Sequence, residues 1–421
     1  MTETVLLASN AADNAVRYRM PAIVRTSSRA LLLAYECRPM NDEKTPFSGS
    51  TIKLQRSFDH GLTWSDPVTV YGEDTPNLHE GYSSPSFIVD LVTGQVFLMA
   101  TQYLGADEPE ASQQSLVRVL LAFSEDDGAT WRSRDISTQI NGANKWRSRE
   151  GTSGHGVQLK QGIWTGRMVQ AVRVLTSEGE PAMVTVCSDD HGRTWWSGKP
   201  VMGKASGAAV VELSDGRIIM QIPEETDETV TVKRYFSMDG GRSFGPGLVA
   251  ATPPLSTDEE NAEGEEANSD AAQLTAMLAR AGLLPGGDTQ SPPEGAPRWS
   301  NSMERAFPCA IPGMDQARIV LLPTLSPTSS GSDNQELGVT VSTNDGQTIY
   351  QQTTYAVGQV HDVDTVSLPD LRLAIMAMET ERGIETSQIC LDDVGLRDYA
   401  YGWNEHPGDQ DKLLKERGFI K

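Results

Sequence analysis

Two places along the chain carry residue types that could bind and cleave a polar substrate. The first runs from Tyr18 to Trp64. It reads Tyr18-Arg19-Met20-Pro21, then the apolar run Ala30-Leu31-Leu32-Leu33-Ala34-Tyr35, then Glu36-Cys37-Arg38 and Asn41-Asp42-Glu43. An apolar strand ending in a buried-to-exposed switch, with two arginines and a carboxylate at that end, aims charge into a pocket. Taken singly, Arg19 and Arg38 would read as surface ion-pair partners. The second place is His361-Asp362-Val363-Asp364. Its residue types leave three readings open: a solvated loop, a metal site, or one half of an acid–base carboxylate pair. A third group, Arg147, Arg149 and Glu150 in Trp146-Arg147-Ser148-Arg149-Glu150, lies just before Gly154 and could reach a pocket from a loop.

The elements that must position these groups are written as a repeat. Ser57-Phe58-Asp59-His60-Gly61-Leu62-Thr63-Trp64 recurs from Ser124 to Trp131 and from Ser188 to Trp195, with degenerate copies from Ser237 to Phe244 and from Ser342 to Ile349. The pattern is that of a hairpin turn. Ser and Asp side chains cap backbone amides, Gly supplies a positive φ, and the terminal aromatic packs between sheets. An apolar strand pattern precedes each copy, as in Val117 to Phe123 and Ala182 to Cys187. Repeats of small antiparallel sheets build a β-propeller. Further hairpins are expected at 81–90 with 93–98, 154–159 with 166–169, 209–213 with 215–220, 308–310 with 319–322, and 366–370 with 373–376.

These motifs resemble the sialidase (neuraminidase) superfamily. Tyr18-Arg19-Met20-Pro21 resembles its opening Arg-Ile-Pro signature, the repeats resemble its Asp-box, and Glu36-Cys37-Arg38 with Asp42 resembles the segment bearing a second pocket arginine and the acid/base aspartate. The resemblance covers about residues 15 to 395. It implies an all-β, six-bladed propeller and hydrolysis of a terminal sugar, with no cofactor and no metal. It also implies that Arg19 and Arg38 bind substrate, that Asp42 is the acid/base, and that Glu379 orients Arg19 and closes the first blade on the last. Arginine suits such a site because it holds carboxylates in bidentate, charge-assisted contacts.

The later half departs from that pattern. Where the resemblance implies an activating glutamate, two further arginines and a nucleophilic tyrosine, the chain has Ser206-Gly207-Ala208-Ala209, Ile222-Pro223-Glu224-Glu225, Asp333-Asn334-Gln335-Glu336 and Asp362. Carboxylates there suggest a different acid–base pair, Asp42 with Asp362 or Asp364, in a glycosidase. The expected activity is a sialidase-like glycoside hydrolase with an altered pocket. The competing expectation is a non-catalytic propeller that binds glycan or protein.

Composition narrows the classes. The 421 residues carry 35 Lys+Arg against 57 Asp+Glu, a formal charge of −22. Such a field disfavours nucleic acid and anionic membranes as partners, so any acidic sugar must be held by local arginines. The expected partner is a glycan or small sugar; oligomeric state stays open. Cys37, Cys187, Cys309 and Cys390 are widely spaced and read as buried free thiols. The opening residues lack a basic-then-apolar leader, which points to a cytoplasmic protein and leaves a processed secreted form open. A single propeller domain over residues 1–421 is expected, with an acidic insertion at 252–297, a short amphipathic helix within it at 270–282, and a C-terminal extension at 397–421.

Overall fold

The computed structural model describes residues 4–10, 16–40, 49–73, 80–104, 117–141, 146–205, 207–213, 215–225 and 230–249. Beyond these it describes 298–299, 304–305, 320–327, 335–342, 351–358, 360–368 and 373–390. The insertion at 252–297, its expected helix, the 308–310 hairpin strand, the fifth Asp-box turn, the extension at 397–421 and Asp42 lie outside the described residues. Almost all described structure is strand, with one short α-helix, α1 (Ser137–Asn141), one 3-10 turn at Gly162–Trp164, and no helix long and apolar enough to cross a membrane.

Strand β1 (Thr4–Ser9) comes first but belongs to the last sheet. The first sheet is β2 (Val16–Arg25), β3 (Leu31–Pro39), β4 (Thr51–Ser57) and β5 (Val68–Tyr71), joined in that order. The second is β6 (Glu80–Val89), β7 (Val96–Leu104), β8 (Val117–Ser124) and β9 (Arg132–Asp135). In the third, β10 (Ser148–Gly151) and β12 (Val157–Gln158) both pair with β13 (Met168–Leu175), which pairs with β14 (Pro181–Ser188) and, beyond it, β15 (Trp196–Ser197) and β16 (Val201–Met202). Between them β11 (Gly154–His155) leaves to join the second sheet. The fourth is β17 (Ala209–Glu212), β18 (Ile218–Glu225), β19 (Val230–Ser237) and β20 (Leu248–Val249). The fifth holds β21 (Arg298–Trp299), β22 (Glu304–Arg305), β23 (Val320–Pro327), β24 (Gln335–Ser342) and β25 (Gln351–Gly358). The sixth runs β26 (Val360–Leu368), β27 (Leu373–Thr380), β28 (Gly383–Cys390), then β1. The arrangement is that of a propeller.

The apolar run in β3 shows why the sheets pack as they do. Successive side chains alternate faces. Leu32 and Ala34 join Phe87, Leu98 and Ala100 of the second sheet, while Leu31, Leu33 and Tyr35 join Val366, Leu368 and Ile375 of the sixth. Both faces are buried, so the strand reads as continuous apolar sequence rather than alternating. Each such Leu contributes roughly 1.5–3 kcal/mol on leaving water.

Four Asp-box turns are alike. In the second, Asp126 Oδ1 accepts from Thr130 N at 2.8 Å, Asp126 Oδ2 from Thr130 Oγ1 at 2.7 Å, and Ser124 Oγ from Gly128 N at 2.8 Å. The two bonds from Thr130 first, then those from the Ser124 hydroxyl and the Ala129 amide, pull the Asp126 carboxyl down to about 2. Each turn sits on the preceding sheet. The Cβ position of Gly61 faces Ile375, that of Gly128 faces Leu32, that of Gly192 faces Phe97, and that of Gly241 faces Val169. Cys187 is a buried free thiol and Cys37 a half-buried one.

The third sheet differs from the hairpin expected at 154–159. Only Val157 and Gln158 pair with Val169 and Met168; Gly154 and His155 run parallel to Ser86 and Phe87 of β6. Glycine permits the departure. Gly154 has φ +102, and a Cβ on Gly156 would stand 2.3 Å from Gln170 Oε1 and 2.4 Å from Val169 O.

Candidate active site

The two ends of the sheets are chemically distinct. In the first sheet Leu31 pairs with Ser57, where the Asp-box begins, and with Arg25, whereas Glu36 pairs with Arg19. Arg19 therefore lies at the end away from the Asp-box turns. A bulge aims it: the ladder slips between Arg19 and Ala22, and Met20 adopts φ +52 just before Pro21. The second sheet repeats the device, with a slip between Ser83 and Ser86 and Ser84 at φ +56 before Pro85. A positive φ in a residue with a side chain costs about 1–3 kcal/mol and gathers at functional sites.

At this end Arg19 meets Glu379. Arg19 Nε donates to Glu379 Oε1 at 3.0 Å, and the Met20 amide donates to Oε2 at 3.0 Å, so one carboxylate ties the first sheet to the sixth. Burial works against the Arg19 charge, but Glu379, helped by Glu36 and Asp362, outweighs it and pushes the guanidinium above its ordinary value. Its Nε is held while the side chain remains 38% exposed, leaving the guanidinium within reach of a ligand. Arg38 pairs through Nε with the fully buried Glu36, whose other oxygen accepts from Ser83 Oγ at 2.6 Å.

Asp362 stands opposite Glu379 in the β26–β27 ladder. Its Oδ2 accepts from Ser153 Oγ at 3.0 Å and its Oδ1 from the Val363 amide at 2.9 Å. Desolvation, then the Glu379 charge, with Asp364 adding to them, push its carboxyl up to about 7 against the pull of those two donors. Asp364 is 1% exposed. Its oxygens are taken by the Ile23 amide at 2.8 Å, His155 Nδ1 at 2.8 Å and its own neighbour Thr365 N at 2.9 Å, so it ties strands together.

The His361–Asp364 segment is thus the inner strand β26 and not a solvated loop. His361 is exposed at a slip in the β26–β27 ladder between Val360 and Asp362. Among the described residues no group of three or more His, Cys, Asp or Glu side chains is placed to hold a metal ion. The structure thus brings Arg19, Glu379 and Asp362 together, with Arg38 joined through Glu36. The third group is spread out: Arg147 is exposed near the β13–β14 turn, Glu150 is ion-paired with Arg173, and Arg149 is buried, which pushes its pKa down. Ser153, His155 and Ser83 were missed in the sequence. The glycines at 151, 154 and 156 and the repeated Tyr-x-x-Pro of residues 18–21 and 82–85 were the available signals.

Fold and site together define an all-β propeller with a cluster of charged side chains at the end of its sheets away from the Asp-box turns. The model of the BNR repeat-like domain matches residues 20–290, and the chain belongs to that family and, through it, to the sialidase superfamily. Among curated proteins it is similar to a sialidase of Micromonospora viridifaciens, 29% identical over 371 residues, covering 86% of this chain and 50% of that protein. The chain therefore spans about half the length of that relative. Among solved structures, the Hadza microbial sialidase Hz136 aligns with TM-score 0.67 at 19% identity, over 92% of this chain and 68% of that one. The intramolecular trans-sialidase of Ruminococcus gnavus, in complex with oseltamivir carboxylate, aligns with TM-score 0.64 at 14% identity, over 92% and 98%. At these identities the structural likeness concerns the fold.

Proposed function

We propose that the chain is a sialidase-like glycoside hydrolase that removes a terminal sugar from a glycan through a carboxylate-rich pocket at the mouth of a six-bladed propeller, each of the six sheets being one blade. The observation that carries this reading is the convergence of Arg19, Glu379 and Asp362 from three strands, with Asp362 titrating near neutrality. Arg19 and Arg38 are the substrate-binding arginines. Asp42 is the acid that protonates the leaving oxygen, and Asp362 is the second carboxylate, serving as base or nucleophile. A carboxyl that ionises around pH 7 can exchange protons at working pH, which a tyrosine near 10 cannot do without help. Asp364, with its oxygens occupied, holds β26 against β2 instead of reacting. The curated relative named a sialidase supports a sugar as substrate.

The test is hydrolysis of a fluorogenic sialoside and a panel of other aryl glycosides by the wild type, Asp42→Ala and Asp362→Asn. Turnover of one of them that falls by roughly 10²-fold or more in both variants is expected. Activity indifferent to both substitutions would remove these roles, and silence on every glycoside would favour a glycan- or protein-binding propeller.

A further inference from the structure

Residues 152–156 cross from the third sheet to the inner edge of the second, and the crossing delivers two side chains to β26. Ser153 Oγ donates to Asp362 Oδ2 at 3.0 Å, and His155 Nδ1 lies 2.8 Å from Asp364 Oδ1. The residues alternate on both strands, 153 with 362 and 155 with 364, so the contact is a two-rung polar ladder between segments that share no sheet. Three glycines make the crossing feasible. Besides Gly154 and Gly156, a Cβ on Gly151 would stand 3.3 Å from Ser84 O. Gly154 itself lies against the Asp364 carboxylate, its Cβ position 3.6 Å from Oδ1.

We infer that Ser153 is a positioning residue for Asp362, fixing the carboxyl group toward the pocket and favouring its ionised form. The inference rests on the reading of Asp362 as the second carboxylate. Asp362 faces Glu379 from β27, Asp364 from its own strand and Arg19 from β2, while His155 on β11 engages Asp364 behind it. The two acidic neighbours oppose ionisation, and Arg19 is hydrogen-bonded to Glu379. Among the described residues Ser153 is the side-chain donor on Asp362, and a hydroxyl donating to a carboxylate stabilises the charged form. The crossing segment therefore acts on the second carboxylate through the Ser153 hydroxyl.

The experiment follows the Asp362 carboxyl carbon by NMR in the full chain with labelled aspartate, its signal assigned by Asp362→Asn. Ser153→Ala should raise the titration midpoint by on the order of one pH unit, whereas Ser153→Thr, which keeps the hydroxyl, should stay near wild type. On whichever glycoside is turned over, the acidic limb of the kcat/KM profile should move upward by the same amount in the alanine variant alone. An unmoved midpoint in Ser153→Ala, or equal shifts in the alanine and threonine variants, would overturn the inference. A midpoint that shifts as expected, in a chain whose turnover survives Asp362→Asn, would uphold the positioning contact and remove the catalytic role of Asp362.

Discussion

Asp362 is the residue whose surroundings matter most, and its titration has a consequence for stability as well as for chemistry. An aspartate in the unfolded chain titrates near 4, while burial and Glu379 push this one up to about 7. Between those values the folded protein keeps a proton that the unfolded chain has lost, so this group's penalty is absent below about pH 4 and grows until about pH 7. Asparagine does not titrate. Asp362→Asn should therefore gain on the wild type as pH rises, by on the order of 2 kcal/mol more at pH 8 than at pH 4, the full shift being discounted for a half-buried side chain. Urea unfolding at the two pH values measures it, and an equal gap at both would show that the folded environment leaves Asp362 at its ordinary value. Little of this was legible beforehand. The residue types of His361 to Asp364 were visible, but that Asp362 is the aspartate facing Glu379 is set by strand pairing, and its donor Ser153 lies more than 200 positions away in sequence.

At the scale of the element, legibility tracks how local the physics is. An Asp-box closes its hydrogen bonds within eight residues, so its turns were readable from spacing, and Ser188, Asp190 and Thr194 bond as Ser124, Asp126 and Thr130 do. The glycine of the turn answers to a neighbour as well. Gly192 has φ +77, and a Cβ there would lie 2.3 Å from the Phe97 ring. Gly192→Ala should cost about 3 kcal/mol or more, combining left-handed strain with overpacking. Thermal unfolding would show it, while Gly162→Ala, at φ +65 with nothing within 4 Å, should cost about 1 kcal/mol. Equal costs at the two sites would mean that the ring of Phe97 gives way freely. The crossing at 152–156 was not legible, because a strand that breaks off to pair with another sheet carries the same short apolar and glycine pattern as a hairpin strand.

Across the whole molecule the sixth sheet is shared between the two ends of the described chain: β1 pairs with β28 from Thr4 with Ser387 to Ser9 with Gly383, with one slip between Leu6 and Ala8. The Asn10 amide adds a bond to Arg382 O at 2.8 Å. Deleting residues 1–9 should lower the unfolding midpoint by several degrees and expose the β28 edge, which raises the tendency to aggregate. Light scattering during heating would register the second effect, and an unchanged midpoint would mean that β1 adds nothing to closure. The same pairing sets the order of events in synthesis. Strand β1 has no partner until β28, more than 370 residues later in the chain, has been made. Glu379 reaches Arg19 only at that moment. Contacts of such sequence separation are slow to form, so a growing chain of this protein has its four described Asp-box turns long before Glu379 meets Arg19.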